Sequence, residues 1–279
     1  AWRVNWDDKA SNLRSLSEEL NISLDSMVFI DDSAFEIGLV KQQLPMVVSL
    51  ALDKSAPATY AGSLASSALF DLPKFTAEDA VRSKLYRDEK SRVEERALAT
   101  DIGSYYKSLQ IRITIGRAGA SAIPRIAQQT QKTNQFNLTT RRYSELDIEK
   151  FAKSANSDVF WLRATDKFGD MGIIGTCILT YSNHAAVIDT LLMSCRGLGR
   201  NIEIQFLDEI CRLAYQRGAR KIEGLFIPTT KNMQTSDFFS KNGFTRISDG
   251  SSTEQRYQRS LLDLGPQQTS YFETVEIEG

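Results

Sequence analysis

The sequence is poor in the residues that build metal sites and disulfide frameworks. Its 279 residues include only three cysteines and one histidine. A structural zinc site of the Cys/His type needs about four such ligands, and an odd number of cysteines without paired spacing indicates no disulfide framework. Neither feature is expected here. The few thiols instead predict a reducing compartment, which we take to be the cytoplasm.

An excess of charge and long apolar runs are also missing. Lys+Arg 34 against Asp+Glu 35 leaves a net charge of -1, so the chain has no global field for a nucleic-acid backbone. No apolar run is long enough to span a bilayer, and the start resembles no signal peptide. We therefore expect neither a nucleic acid nor a membrane as partner. The 42% of hydrophobic residues suffices to bury cores in one large or two ordinary domains.

The first part of the chain alternates helices with short apolar strands. Residues 9–20 have the apolar spacing of an amphipathic helix, and residues 27–30 form a continuous apolar run of the kind found in buried parallel strands. A second short strand is predicted at 46–48. This alternation indicates a doubly wound α/β layer. Residues 53–75 read as a connector.

A long charged helix is predicted to follow the connector. Thr76 and Asp79 resemble a capping box, and the helical segment runs to about residue 109 with a break near Thr100. Beyond it, alternation at Ile111, Ile113 and Ile115 predicts a strand. The tail from residue 265 is predicted to be loose. Further strands are predicted near 159–164, 172–180, 185–195, 221–227, 244–248 and 255–262, and helices at 121–131, 203–217 and 234–242.

The first group of candidate site residues is Lys9, Asp31 and Asp32. Ligands of open α/β sheets bind beyond the carboxyl ends of strands. Adjacent carboxylates at such an end favour a hard cation such as Mg²⁺, and a lysine at a helix start can counter a phosphate. On spacing alone, the equal alternative is that Asp32 caps the next helix and Lys9 is solvated.

The second group is a glycine-bearing turn between a strand and a helix. Free backbone N–H groups and the helix dipole make such a turn a ready anion site. A short glycine motif is weak evidence alone, so a turn without a ligand remains the alternative. The residues of this turn are Arg196, Gly197, Leu198, Gly199, Arg200 and Asn201.

The third group is a polar run over residues 132–143. Asn and Thr side chains compete with backbone hydrogen bonding, so we expect a loop that lines a cleft, with Phe136 and Leu138 as its anchors. The alternative is a solvated loop that satisfies its own backbone. The candidate substrate residues are Lys132, Asn134, Gln135, Asn137, Thr139, Arg141 and Arg142.

These motifs together resemble the FkbH-like family, in which a haloacid dehalogenase-type phosphatase domain (subfamily IIIC) is joined to an acyltransferase-like domain. Lys9 and Asp31-Asp32 resemble the third and fourth motifs of the phosphatase superfamily. The 196–201 turn resembles the pyrophosphate loop of the GCN5-related acyltransferases (GNAT). The 132–143 run resembles the signature of the FkbH-like family itself. The similarity extends from Val4 to about Leu262, and it places the chain without the family's amino-terminal part.

The resemblance implies a domain plan and a fold. Residues 1–75 would be the carboxy-terminal part of a haloacid dehalogenase-like, Rossmann-like α/β layer. Residues 76–109 would be a helical linker, 110–264 a GNAT-type α+β domain with a mixed sheet, and 265–279 a tail.

The resemblance also implies a function. Such proteins load a glycerate-derived unit from a small phosphorylated three-carbon substrate onto an acyl carrier protein, as in polyketide biosynthesis. Asp31 and Asp32 would hold Mg²⁺, Lys9 would steady phosphate, and the turn would bind coenzyme A or a phosphopantetheine arm. The alternatives are a non-catalytic module that binds the carrier protein or coenzyme A, and a metal-dependent phosphatase of small molecules.

One missing motif and two positions depart from the family pattern. The sequence contains no Asp-x-Asp-x-Thr nucleophile motif. Asn201 stands where Gly or Ala is usual in the pyrophosphate loop. Phe239 stands where the acyltransferases have the tyrosine proposed as general acid, and a phenyl ring has no proton to donate.

Cys195 is interpreted as a structural cysteine, because a buried thiol is a poor nucleophile.

Overall fold

The computed structural model describes residues 1–20, 22–71, 82–247, 254–262, 264 and 271–278. The chain divides into two compact units, Ala1–Phe75 and Thr76–Gly279. The capping box predicted at Thr76 and Asp79 lies outside the described residues. No helix within the described ranges combines the length and the apolar character that crossing a bilayer requires.

The first unit contains a parallel strand–helix–strand arrangement. Strands β1 and β2 pair in parallel with Val28 opposite Val48, which agrees with the predicted α/β layer. The haloacid dehalogenase assignment stays a prediction. Helix α3 lies within the segment predicted as a connector. The elements are α1 (Lys9–Leu20), β1 (Val28–Asp31), α2 (Ala34–Gln43), β2 (Val48–Ala51) and α3 (Tyr60–Ser66).

The core of the first unit is small. Apolar side chains at helical spacing on α1 and α2 meet over the two strands, because this spacing places them on one face of each helix. Helix α2 begins after Ser33, whose hydroxyl accepts a hydrogen bond from the Glu36 N–H at 3.4 Å. Ser33 is therefore the N-cap, and Asp32 does not cap this helix. The buried cluster comprises Ala10, Leu13, Val40, Leu44 and Val47.

The second unit is built on a mixed sheet of nine strands. Its order is β11-β3-β5-β6-β7-β8-β10-β9, with β4 beside β7. The pairs β11–β3 and β7–β8 are parallel, and the others are antiparallel. The predicted α+β fold with a mixed sheet is confirmed. The strands are β3 (Ile111–Arg117), β4 (Phe136–Asn137), β5 (Ser157–Asp166), β6 (Gly169–Ser182), β7 (Ala185–Met193), β8 (Lys221–Phe226), β9 (Thr245–Arg246), β10 (Gln255–Ser260) and β11 (Phe272–Glu278).

Helices cover the two faces of this sheet. Helix α8 buries one full face, with Ile202, Phe206 and Ile210 all 0% exposed. Helices α6 and α7 bury a second cluster that includes Ile126 and Ile148. The helices are α4 (Arg82–Leu98), α5 (Ile102–Leu109), α6 (Ile123–Lys132), α7 (Glu145–Lys153), α8 (Ile202–Gln216) and α9 (Phe238–Lys241).

The helices predicted as a linker pack against the second unit. Arg92 of α4 is 2% exposed, and it makes a two-pronged contact with Asp166, Nε to Oδ2 at 2.6 Å and Nη2 to Oδ1 at 2.8 Å. The predicted helix break near Thr100 is present, because α4 ends at Leu98 and α5 begins at Ile102. Asp101 is the N-cap of α5, and its side chain accepts a hydrogen bond from the Ser104 N–H. The linker interpretation is therefore corrected: α4 is an integral part of this unit.

The predicted loose tail and one helix also need correction. Residues 272–278 form edge strand β11, which pairs in parallel with β3. Alternation of apolar and acidic side chains there suits a strand with one covered face. Helix α7 was not predicted, although Ser144 and Asp147 form a reciprocal capping box at its start.

Candidate functional site

The turn at residues 196–201 connects strand β7 to helix α8. Cys195–Gly197 form a short 3-10 turn, and α8 begins at Ile202. Gly199 has φ +74 and Asn201 has φ +59. Glycine adopts such angles freely, and asparagine is among the few residues that tolerate them. The two residue types therefore suit the reversal that brings the chain from the sheet into the helix.

Three consecutive backbone donors of this turn have no partner among the described residues. No hydrogen bond from the N–H groups of Gly199, Arg200 or Asn201 is present among the residues that the structure describes. The first helical bond of α8 runs from the Gln205 N–H to the Asn201 carbonyl at 3.1 Å, so the preceding N–H groups have no partner within the helix. Gly199 is exposed, and a Cβ built on it would meet nothing within 4 Å. The turn offers an open set of main-chain donors to an anion.

The two arginines of the turn are engaged with the protein. Arg196 donates from Nη1 to the Met171 carbonyl at 2.9 Å. Arg200 is 4% exposed and donates to the Arg196 carbonyl and to the Glu89 carboxylate. The Nε of Arg200 is buried without a partner among the described residues. An anion would therefore be held mainly by main-chain amides, with the Arg200 Nε as one remaining donor below them.

Gly197 and Leu198 serve packing. A Cβ on Gly197 would lie 2.8 Å from Cδ1 of Ile174 and 2.9 Å from Sδ of Met193, so only glycine fits between these side chains. Leu198 is half-buried against the main core. These two residues shape the turn, and Gly199 and Asn201 present its open side.

An acidic side chain lies at the start of α8. Burial raises the pKa of Glu203, whose carboxylate also accepts from its own backbone N–H. Its Oε2 is buried with no partner in the described part of the chain. Because an ionised carboxylate at a helix amino terminus takes the place that another anion would favour, Glu203 limits how strongly the turn can bind phosphate.

Helices α4 and α5 hold the turn from outside. Tyr106 of α5 donates its hydroxyl to the Gly199 carbonyl at 2.8 Å, and Glu89 of α4 pairs with Arg200. Both contacts join residues about a hundred positions apart. The conformation of the turn therefore depends on the two helices that precede the sheet.

Residues 136–139 lie between two diverging strands. The pairing of β7 with β8 ends at Ile188 opposite Gly224. Beyond that point the Leu138 N–H donates to the Leu191 carbonyl at 3.1 Å, and the Leu138 carbonyl accepts from the Ile227 N–H at 2.8 Å. The segment thus bridges the gap in the sheet, rather than forming the expected loop.

The side chains of this segment are mostly buried or hydrogen-bonded to backbone groups of the protein. Phe136 and Leu138 are 6% and 0% exposed, so the predicted anchors are confirmed. Asn137 is also 0% exposed; its amide donates to the Thr133 carbonyl at 3.2 Å and accepts from the Thr140 N–H at 2.8 Å. Thr139 donates to the Asp189 carbonyl at 2.9 Å. Backbone groups therefore use the polar atoms of Asn137 and Thr139, and their assignment to a ligand cleft stays a prediction.

The arginines of the same run also contact the protein. Arg141 pairs with Asp189, which accepts a hydrogen bond from the Tyr143 hydroxyl at 2.7 Å. Arg142 donates to the carbonyls of Thr130 and Thr133 and to the Asn134 side chain. Lys132 is exposed and Gln135 half-buried. Of the seven predicted cleft residues, Lys132 and Arg142 are the two that are exposed.

Tyr143 belongs to a buried polar network that sequence reasoning missed. Burial, and then the hydrogen bond to Asp189, raises its pKa to about 12. Asp189 lies where the register of β7 against β6 shifts, and such irregularities re-aim a side chain. No pattern in the sequence predicts this position, because the shift depends on the pairing of distant strands.

In the first unit, acidic residues lie beyond the carboxyl ends of β1 and β2. Asp31 accepts from the Ser33 N–H at 2.8 Å, and Asp32 accepts from the Tyr60 hydroxyl at 2.9 Å. Burial and the bond to Asp32 raise the pKa of Tyr60, and the charges of Asp31 and Asp53 add to this. Lys9 is the half-buried first residue of α1. Carboxylates suit Mg²⁺ chemically, although no group of three or more metal-ligating acidic, His or Cys side chains occurs within the described ranges.

Phe239 is a core residue. It is 2% exposed, and its ring lies against Gly224, where a Cβ would come within 2.4 Å of the ring. Its ring centroid is 5.0 Å from that of Phe244 and 5.6 Å from that of Tyr257. Cys195 is half-buried, and burial raises the pKa of its thiol. Neither position supplies a proton donor or a thiolate at neutral pH.

The second unit is similar to solved acetyltransferase structures. An acetyltransferase from Thermus thermophilus is 17% identical with a TM-score of 0.43, covering 55% of this chain and 99% of that chain. A GNAT-family acetyltransferase from Staphylococcus aureus is 17% identical with a TM-score of 0.42, covering 53% and 99%. The GNAT domain of S. lividans PAT is 15% identical with a TM-score of 0.40, covering 52% and 89%. No protein-family model and no curated protein matches the chain.

Proposed function

We propose that the second unit binds the phosphate end of a thiol-bearing arm, either coenzyme A or the phosphopantetheine of an acyl carrier protein, for acyl transfer. The observation that carries this proposal is the run of unpartnered N–H groups at Gly199, Arg200 and Asn201, directly before helix α8. The buried Nε of Arg200, which has no partner within the described residues, supports it independently. Donors fixed before binding lose little entropy when the anion arrives.

Calorimetric titration tests the binding proposal directly. We expect saturable heat from coenzyme A and from phosphopantetheine, and none from pantetheine, which lacks the phosphate. Equal heat from pantetheine would show that the turn is not the phosphate site. No heat from any of the three would remove the proposal.

In its fuller form, the proposal assigns the chain to the FkbH-like type of glyceryl or acyl transfer. The second unit would receive the arm of the carrier, and the first would act on a phosphorylated three-carbon substrate. Lys9 would steady phosphate, and Asp31 and Asp32 would hold Mg²⁺, whose charge would offset that of the substrate phosphate. Incubating the protein with a bisphosphoglycerate and a carrier should add a glyceryl mass to the carrier. An unchanged carrier mass would contradict this form.

A second candidate function is binding without catalysis. Phe239 favours it, because that ring is sealed in the core and has no proton to give. Under this candidate, the unit docks the arm while chemistry takes place elsewhere. Incubation with acetyl-coenzyme A and a panel of small amines distinguishes the two functions: binding without acetylated product supports docking, and turnover supports catalysis. A metal-dependent phosphatase acting alone has support only from Lys9, Asp31 and Asp32.

A further inference from the structure

Helix α4 runs beside the turn with one face towards it. Glu89 pairs with Arg200 of the turn, and Arg92 pairs with Asp166, the last residue of strand β5. Arg96 follows at i+7 from Glu89 and i+4 from Arg92. Residues at this spacing share one face of a helix. Arg96 is therefore on the side of α4 that faces the turn, about 10 Å further along the helix axis than Glu89.

Helix α5 locates Arg96 more closely. Tyr106 of α5 donates its hydroxyl to the Gly199 carbonyl at 2.8 Å. Burial and the charge of Glu203 raise the pKa of Tyr106, and the charge of Arg96 acts against this rise. The guanidinium of Arg96 thus lies within electrostatic reach of the hydroxyl that contacts Gly199.

Arg96 differs from the other arginines around the turn because its side chain has no partner among the described residues. Its side chain is exposed, and it makes no hydrogen bond or ion pair with any part of the chain that the structure describes. Arg92, Arg196 and Arg200 instead bind carboxylates or carbonyls of the protein. Among the described residues, Arg96 is the member of this group whose whole guanidinium remains open to an incoming anion.

We infer that Arg96 contacts the phosphate of the arm bound at the 196–201 turn. This inference rests on the function proposed above. The ligand class is a phosphodiester or diphosphate on pantetheine, whose oxygens would accept from the turn amides on one side and from Arg96 on the other. A guanidinium suits this role because its planar donors match two phosphate oxygens. Arg96 would also offset the repulsion from the nearby Glu203.

Titration of coenzyme A into the chain and two variants tests this inference. We expect Arg96→Gln to weaken binding about 5- to 10-fold, as for loss of a partly exposed charged contact. The dependence of affinity on salt should fall with it. Arg87→Gln is the matched control: Arg87 is also exposed on α4, and it lies nine residues earlier, about 180° around the helix. It should bind as the unchanged chain does.

The outcomes separate the inference from the proposed function. If the unchanged chain binds coenzyme A and Arg96→Gln binds equally well, the inference is wrong while the proposed function stands. Equal weakening by Arg87→Gln and Arg96→Gln would indicate general attraction by the helix, and it would also overturn the inference. If the unchanged chain binds neither coenzyme A nor phosphopantetheine, both fail. Thermal melts of each variant check that the fold is unchanged.

Discussion

The 196–201 turn and the 132–143 segment are both rich in polar and basic residues, but they use their polar groups in opposite ways. In the turn, the arginine side chains contact the protein while main-chain N–H groups are left open. In the segment, the main chain of Leu138 bridges β7 and β8, and the side chains of Asn137 and Thr139 bond to backbone groups. The difference teaches that polar composition alone does not separate a structural segment from a candidate site, whereas donors without a partner among the described residues do. Four predicted effects test this comparison.

The largest effect is expected from Leu138→Ala in the bridging segment. Leu138 is 0% exposed, and removing a buried leucine side chain costs about 2–5 kcal/mol in the free energy of unfolding. Denaturant titration of the variant measures this loss. Affinity for coenzyme A should stay within twofold, because the turn is untouched. A stability loss below about 1 kcal/mol would indicate that the segment is not part of the core.

A smaller loss is expected from Asn137→Ala. The change leaves the Thr140 N–H without its partner and removes one of the two donors to the Thr133 carbonyl, at a cost of about 1–3 kcal/mol. The matched control is Gln135→Ala, two residues earlier, where the side chain is half-buried and no hydrogen bond of it is present among the described residues. It should change stability by less than about 0.5 kcal/mol. Equal losses in the two variants would contradict the structural role of Asn137.

Glu203→Gln is expected to strengthen binding at the turn. It removes a carboxylate from the start of α8, where charge contributes about 0.3–1 kcal/mol, so coenzyme A should bind about two- to fivefold more tightly. Glu149→Gln, on the exposed surface of α7, is the control and should leave the affinity unchanged. Weaker binding by Glu203→Gln would mean that this carboxyl group assists the ligand rather than opposing it.

The last expected effect is a pH dependence that belongs to Tyr143. Burial and the bond to Asp189 raise its pKa from the ordinary 10 to about 12, so the folded state keeps a proton that the unfolded state releases. The stability contribution is fully present below pH 10 and is lost as the pH rises through 12. Unfolding of Tyr143→Phe should lack this component. Parallel losses for both proteins between about pH 9 and 12 would contradict it.

Much of the fold can be predicted where apolar spacing is regular. Helix α1 and the strand at 185–193 follow from their patterns, and α8 is amphipathic enough to predict within a residue. The polar composition of the tail favours a loop, although strand β11 forms there, and helix α7 was not predicted despite the capping box at Ser144 and Asp147. The burial of Arg92 has no local signal, because it depends on Asp166, which lies 74 residues away.

The candidate site shows the same division. The turn can be located from Gly199 and the strand–helix sequence around it, because its geometry is local. The role of Asn137 depends on where β7 and β8 diverge, and the role of Arg96 depends on how α4 packs. Both are tertiary properties, which a pattern of neighbouring residues does not encode. Assignments of Lys9, Asp31 and Asp32 stay predictions.

The contact between Glu89 and Arg200 links ligand occupancy to the local unfolding of a helix. If an anion fixes the turn, opening of α4 must also release Arg200 from its partner, so saturation should lower the population of the open helix. Amide hydrogen exchange along α4 would then slow on ligand addition, even though most of that helix touches no ligand. Slower amide exchange in α4 would then show that the turn is occupied by the anion.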